Sequence, residues 1–78
     1  MAHMKKITLR PKFSVWSEKK AITRIQLFDV IGRLVFQGDY LEGVNHVEIN
    51  MTNRNPGVYI VKVTDDLNYV TSYKLRIK

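Results

Sequence analysis

Apolar residues recur at every second position in short runs along this chain, and turn-forming residues separate the runs. Near the middle, Ile25-Gln26-Leu27-Phe28 and Arg33-Leu34-Val35-Phe36 flank Asp29-Val30-Ile31-Gly32. Asp suits the opening of a tight turn because its carboxylate can accept from backbone N–H groups two residues on. Gly supplies the positive φ that closes a hairpin loop with a bulge. A helix here would hold Gly32 in its interior and apolar residues on every side. The pattern predicts a β-hairpin.

The remaining runs follow the same logic. Ile7 and Leu9 alternate with Lys6, Thr8 and Arg10 as a weak first strand, which Pro11 ends or confines to an edge. Phe13 to Ser17 alternates again, and Glu18-Lys19-Lys20 reads as a charged turn. From Ala21 to Phe28, Ile25 and Leu27 face one side and Arg24 and Gln26 the other. Ile22 and Phe28 fall on the Arg24 side, which places one of them under a loop or at a sheet edge. Arg33 to Gln37 is the return strand, and Gly38-Asp39 is expected to break it.

Val44 to Met51 turns Val47 and Ile49 one way and His46, Glu48 and Asn50 the other. Thr52 to Gly57 gathers turn residues, with Pro56-Gly57 suited to a type II turn. Val58 to Thr64 is nearly continuously apolar, as a central strand would be, with Tyr59, Val61 and Val63 inward and Lys62 outward. Asp65-Asp66-Leu67-Asn68 is the last hairpin loop and Tyr69 to Lys78 the last strand. Six or seven short strands with turns at such intervals predict an all-β, antiparallel β-sandwich. A small open barrel would give the same strand pattern.

Length limits this to one domain: a chain of 78 residues has no room for a second core and buries only about 60% of its unfolded surface. It has no cysteine, so neither a disulfide nor a thiolate metal site supports the core. No apolar run approaches the roughly 18 residues of a transmembrane helix. Met1 to Met4 resembles an expression-vector scar, leaving residues 5–78 as the domain. On that reading the chain is a fragment, and a domain ending at Lys78 would close a larger protein.

The formal charge is +6, which raises the question of nucleic acid. Lys74, Arg76 and Lys78 alternate with Tyr73, Leu75 and Ile77, so the cations fall on the outward face of the last strand. Outward cations are a common protection of strand edges. The aromatic residues do not group with basic ones in a nucleic-acid motif, and no nucleic-acid partner is expected.

Catalytic chemistry finds little to stand on. His3 belongs to the apparent scar, and His46 lies on a polar strand face without a Cys, Asp or second His at metal-ligand spacing. Adjacent Asp65 and Asp66 point apart and suit a turn better than a carboxylate pair. Ser14, Ser17 and Ser72 sit in no nucleophile elbow, and no Gly-rich loop precedes a helix. Neither enzyme activity nor a cofactor or metal is expected.

Three segments together carry a resemblance: Ile25 to Val35, Gly57 to Val63, and Lys74 to Lys78. In this order and spacing they resemble the C-terminal sorting domain of type IX (Por) secretion system cargo in the Bacteroidetes, over Phe13 to Lys78. The positions matching its motifs are Asp29, Gly32 and Arg33, then Gly57 and Tyr59, then Lys74 to Lys78. The resemblance implies an Ig-like sandwich that acts as an address. The cargo would reach the periplasm through an N-terminal signal peptide and pass an outer-membrane translocon that recognises this domain. A surface sortase would then remove the domain and link the cargo to anionic lipopolysaccharide at the cell surface. The family's Tyr-Pro-Asn-Pro-like stretch is here only Leu9-Arg10-Pro11-Lys12, which leaves the cleavage site open.

Weighed individually, Gly32 and Gly57 read as turn glycines, Tyr59 as core, and Arg33 as the partner of a nearby acid or carbonyl. Translocon recognition is expected along Tyr73, Lys74, Leu75, Arg76, Ile77 and Lys78, through an acidic surface or by strand addition. The isolated domain could pair or exchange strands with a second copy. The alternative function is an Ig-like or fibronectin-like spacer or carbohydrate-binding module, for which Trp16, Tyr40 and Tyr69 are the candidate exposed aromatics.

Overall fold

The alternating runs form strands. The computed structural model describes residues 2–7, 12–52 and 54–77, with side chains from Ser14 onward. In order the strands are β1 (Ala2–Ile7), β2 (Lys12–Ser17), β3 (Ile22–Asp29), β4 (Leu34–Val44), β5 (His46–Asn50), β6 (Gly57–Asp65) and β7 (Val70–Ile77). Every pairing is antiparallel. The strands make two sheets, β1-β2-β5 and β4-β3-β6-β7. No ladder joins the two sheets among the described residues, so the fold is the Ig-like sandwich and not the barrel.

The core lies between the sheets. Val15 of β2 and Val47 and Ile49 of β5 share it with Ile25, Leu27, Tyr59, Val61, Val63 and Leu75 of the larger sheet, together with Ile22 and Met51. As its nearly continuous apolar sequence implied, β6 is interior to its sheet, with β3 on one side and β7 on the other.

Ile22 and Ile25 are three positions apart yet both fully buried, which strict alternation forbids. The pairing of β3 with both neighbours shifts register between Ile22 and Arg24. Against β6, Thr23 is the extra residue, and its hydroxyl reaches Asp65 O at 3.1 Å; against β4 the excess lies on β4, between Asp39 and Val44. One inserted residue exchanges the two faces of a strand. Ile22 is therefore core, while Phe28 stays half-buried on the outer face, with the Lys62 ammonium 5.2 Å from its ring centroid.

Two expectations are corrected. Gly38-Asp39 does not break the return strand, because β4 continues to Val44. Cross-strand pairs hold it to β3: Gln26 donates to Gln37 at 3.1 Å and Arg24 to Asp39 at 2.7 Å. Nor does Pro56-Gly57 form a type II turn. The hydrogen-bonded turn closes earlier, Arg54 N donating to Met51 O at 2.9 Å. Gly57, at φ 149°, instead starts β6 in a conformation that side chains disfavour.

At the start of the chain, Ala2, His3 and Met4 pair with Ser17, Trp16 and Val15. An open sheet edge can accept any extended backbone. The expected alternation at Thr8, Leu9, Arg10 and Pro11 lies outside the described residues, as do Asn53 and Lys78.

Candidate functional site

The β3–β4 hairpin is built on one carboxylate. Asp29 Oδ1 accepts from Ile31 N at 3.1 Å and Arg33 N at 2.9 Å, and Oδ2 accepts from Arg33 Nε at 2.8 Å. Asp29 O accepts from Gly32 N at 3.0 Å, and Asp29 N donates to Arg33 O at 3.0 Å. Gly32 sits at φ 90°, which explains the glycine between Asp and Arg. The Arg33 backbone N–H holds the Asp29 carboxyl below its ordinary 3.8, opposed by some desolvation and helped by the Arg33 side chain and Ile31 N–H. Arg33 pairs with an acid, as the sequence reading favoured.

The β6–β7 hairpin repeats the design with other residues. Asp65 Oδ1 accepts from Leu67 N at 2.9 Å and Tyr69 N at 3.0 Å. Asn68 takes the positive-φ position at 66°, a substitution Asn tolerates. Lys20 stands 3.9 Å from Asp65 Oδ2 and 4.9 Å from the Tyr69 ring centroid.

In the second motif, Tyr59 is buried and its hydroxyl donates to Asn55 O at 2.6 Å. A tyrosine near the start of a strand, tied back to backbone a few residues upstream, is a hallmark of Ig-like sandwiches. Gly57 lets the chain enter β6 so that Tyr59, two positions on, points inward.

Tertiary structure brings the three motif segments together. Asp29 lies opposite Tyr59, and Tyr59 opposite Leu75, so one row crosses β3, β6 and β7. Gly57 pairs with Ile77, which brings the end of β7 to the hairpin end of the sheet. Sequence reasoning passed over Arg54, whose Nη2 donates to Val35 O at 2.6 Å. It had been absorbed into a cluster of turn residues.

β7 forms one edge of its sheet. Leu75 is buried, Tyr73 and Ile77 are half-buried, and Lys74 and Arg76 are exposed. Burial pushes the Tyr73 hydroxyl above its ordinary 10.0, so it is neutral at physiological pH. Apolar residues thus tie the strand down, while its cations and one line of backbone groups face outward.

The other candidates do not converge. His46 is exposed and stacks on Trp16, with ring centroids 4.0 Å apart and planes at 16°. Among the described residues, no three His, Cys, Asp or Glu side chains stand close enough to hold a metal ion. Trp16 belongs to the smaller sheet and Tyr40 to the larger, with Tyr69 in the β6–β7 hairpin. They make no common aromatic row.

The profile of the secretion system C-terminal sorting domain matches residues 5–78. No curated protein matches the chain. With its three motif segments inside the matched span and aligned across one sheet, the chain belongs to the family of secretion system C-terminal sorting domains.

Proposed function

We propose that this sorting domain is read by the type IX outer-membrane translocon along β7, from Tyr73 to Ile77 and on to Lys78. The observation that supports this reading is the position of β7 at the sheet edge with Lys74 and Arg76 exposed. An edge strand can accept a further strand through its unpaired backbone groups, and outward cations select an acidic partner surface. Asp29, Gly32, Arg33, Gly57 and Tyr59 act indirectly by fixing the sheet that presents this edge.

After translocation, a surface sortase cleaves a peptide bond upstream of the domain. The cargo's acyl carbon passes to a nucleophilic group of surface lipopolysaccharide, and the domain leaves with a protonated new amino terminus. The cargo remains at the cell surface. This chain supplies the address and no part of that chemistry.

The test is export of a fluorescent protein carrying residues 5–78 at its C-terminus, in a Bacteroidetes host with and without a working translocon. Surface display that requires the translocon is expected. The K74E/R76E double variant should accumulate folded in the periplasm. Display of that variant at the unmodified level would overturn the role of the cationic edge.

A further inference from the structure

We infer that the end of the sandwich carrying the β3–β4 hairpin docks on an anionic lipid membrane. In this arrangement Val30 and Ile31 enter the interface, and Arg33, Arg54 and Arg76 meet the lipid phosphates. The inference shares Arg76 with the β7 reading and otherwise rests on residues outside that strand.

The hairpin geometry requires Asp29 and Gly32 but not what lies between them. Both central positions of this turn carry β-branched apolar residues, and Val30 and Ile31 are 69% and 71% exposed. Turns normally place polar residues there. Leu34, on the first position of β4, is also exposed. Three large apolar side chains thus stand in water at one tip, and nothing in the fold accounts for them.

The charge around the tip is predominantly positive. Beside it lies an open depression of about 380 Å³ lined by Arg33, Arg54, Asp29, Val35, Pro56 and Val58. Arg76 pairs with Val58 in the adjacent strand, which brings a third guanidinium to this end. Asp29 is the acid among the described residues here, and Arg33 already engages it at 2.8 Å. Strand register sends Glu42 towards the other end of β4 and leaves Glu48 midway along β5, opposite Ser14.

The opposite end is the internal comparison. It also exposes apolar side chains, Leu41, Leu67, Tyr69 and Val70, so charge and not apolar exposure separates the two ends. There they stand among charges of both signs: Asp65 and Asp66, the latter tied to the β2–β3 connection through Ala21 O at 3.0 Å, and Lys20, 3.9 Å from Asp65 Oδ2. The lysine offsets part of that end's acidity, whereas the hairpin end gathers three guanidiniums, so an anionic surface favours the hairpin end.

A convex tip with cations set back around it matches a layered surface, charged outside and hydrocarbon beneath. A protein groove would call for a concave counterpart, and the depression beside the tip is open. Docked this way, the larger sheet stands upright on the membrane and keeps the β7 edge accessible from the side.

The test is co-sedimentation of the chain with vesicles of phosphatidylcholine alone or mixed with phosphatidylglycerol. Binding to the mixed vesicles only is expected. V30S/I31S changes two exposed turn residues, leaves the strand signature in circular dichroism intact, and should weaken partitioning about ten-fold or more. R54Q should weaken it about five-fold, and I31W should strengthen it. Absence of binding to mixed vesicles would overturn the inference, and so would unchanged binding of V30S/I31S, which marks adsorption by charge alone. Binding to outer-membrane vesicles but not to protein-free vesicles of the same lipids would overturn it in favour of a protein receptor.

Discussion

Arg33 engages Asp29 twice, its backbone N–H donating to Oδ1 at 2.9 Å and its Nε to Oδ2 at 2.8 Å. The first bond would form with any residue but proline at position 33, whereas the second requires a guanidinium. Asp29 therefore sets the backbone of the turn, and Arg33 orients the carboxylate that sets it. This explains the Asp-x-x-Gly-Arg spacing on structural grounds, independently of any receptor.

The pH dependence of stability follows from the same contact. The folded Asp29 carboxyl titrates below its ordinary 3.8, so its stabilising contribution is fully present above that value. It is lost as pH falls through the folded value. Asp39 is lowered as well, by the Gln37 side chain first and then by Arg24. Urea unfolding followed below about pH 4 should show the domain weakening, and D29N should remove part of that dependence while Asp39 retains the rest. An unchanged slope in D29N would contradict the assignment.

Two glycines separate backbone strain from crowding. Gly32 lies at φ +90° with nothing within 4 Å of an added Cβ. Gly32→Ala should cost about 1–2 kcal/mol through its conformation alone. Gly43 lies at φ +79°, and an added Cβ would stand 2.5 Å from Ala21 Cβ. Gly43→Ala should add an overpacking cost of about 1–3 kcal/mol. Chemical denaturation of the two variants should rank them in that order.

Tyr59→Phe removes the hydroxyl that donates to Asn55 O at 2.6 Å and keeps the buried ring. Asn55 is exposed, so water can take over its carbonyl, and the loss should be about 1 kcal/mol. The variant should remain folded, with increased amide exchange in the connection that leads into Gly57.

Along β7, holding the strand and presenting it fall to different residues. Leu75 is 4% exposed in the core, and Leu75→Ala should cost about 2–4 kcal/mol. K74E/R76E should leave the unfolding midpoint within about 0.5 kcal/mol of its original stability, as exposed substitutions do. Export of the fused cargo should fall in both, with folded protein retained only in the second. Deleting Tyr73 to Lys78 would confound the two effects, since it removes Leu75 with the exposed cations.

Local chemistry determined much by itself. Period-two alternation marked the strands, the Asp-x-x-Gly-Arg run specified its own hairpin, and the apolar continuity of Val58–Val63 identified an interior strand. These signals act over a few residues, so they are legible in order along the chain. The β6–β7 turn was legible for the same reason, Asn68 standing where the first hairpin has Gly32.

Partners distant in sequence decided the rest. That Ile22 and Ile25 share the core face, three positions apart, became intelligible only through the bulge at Thr23, where β3 shifts register against β6. Gly38-Asp39 reads as a breaker in isolation, and the Arg24–Asp39 pair overrides it. The alignment of Asp29, Tyr59 and Leu75, and the gathering of Arg33, Arg54 and Arg76 at one end, depend on which strands pair and in what register. That choice minimises the free energy of the whole core, and no single stretch of the chain contains it.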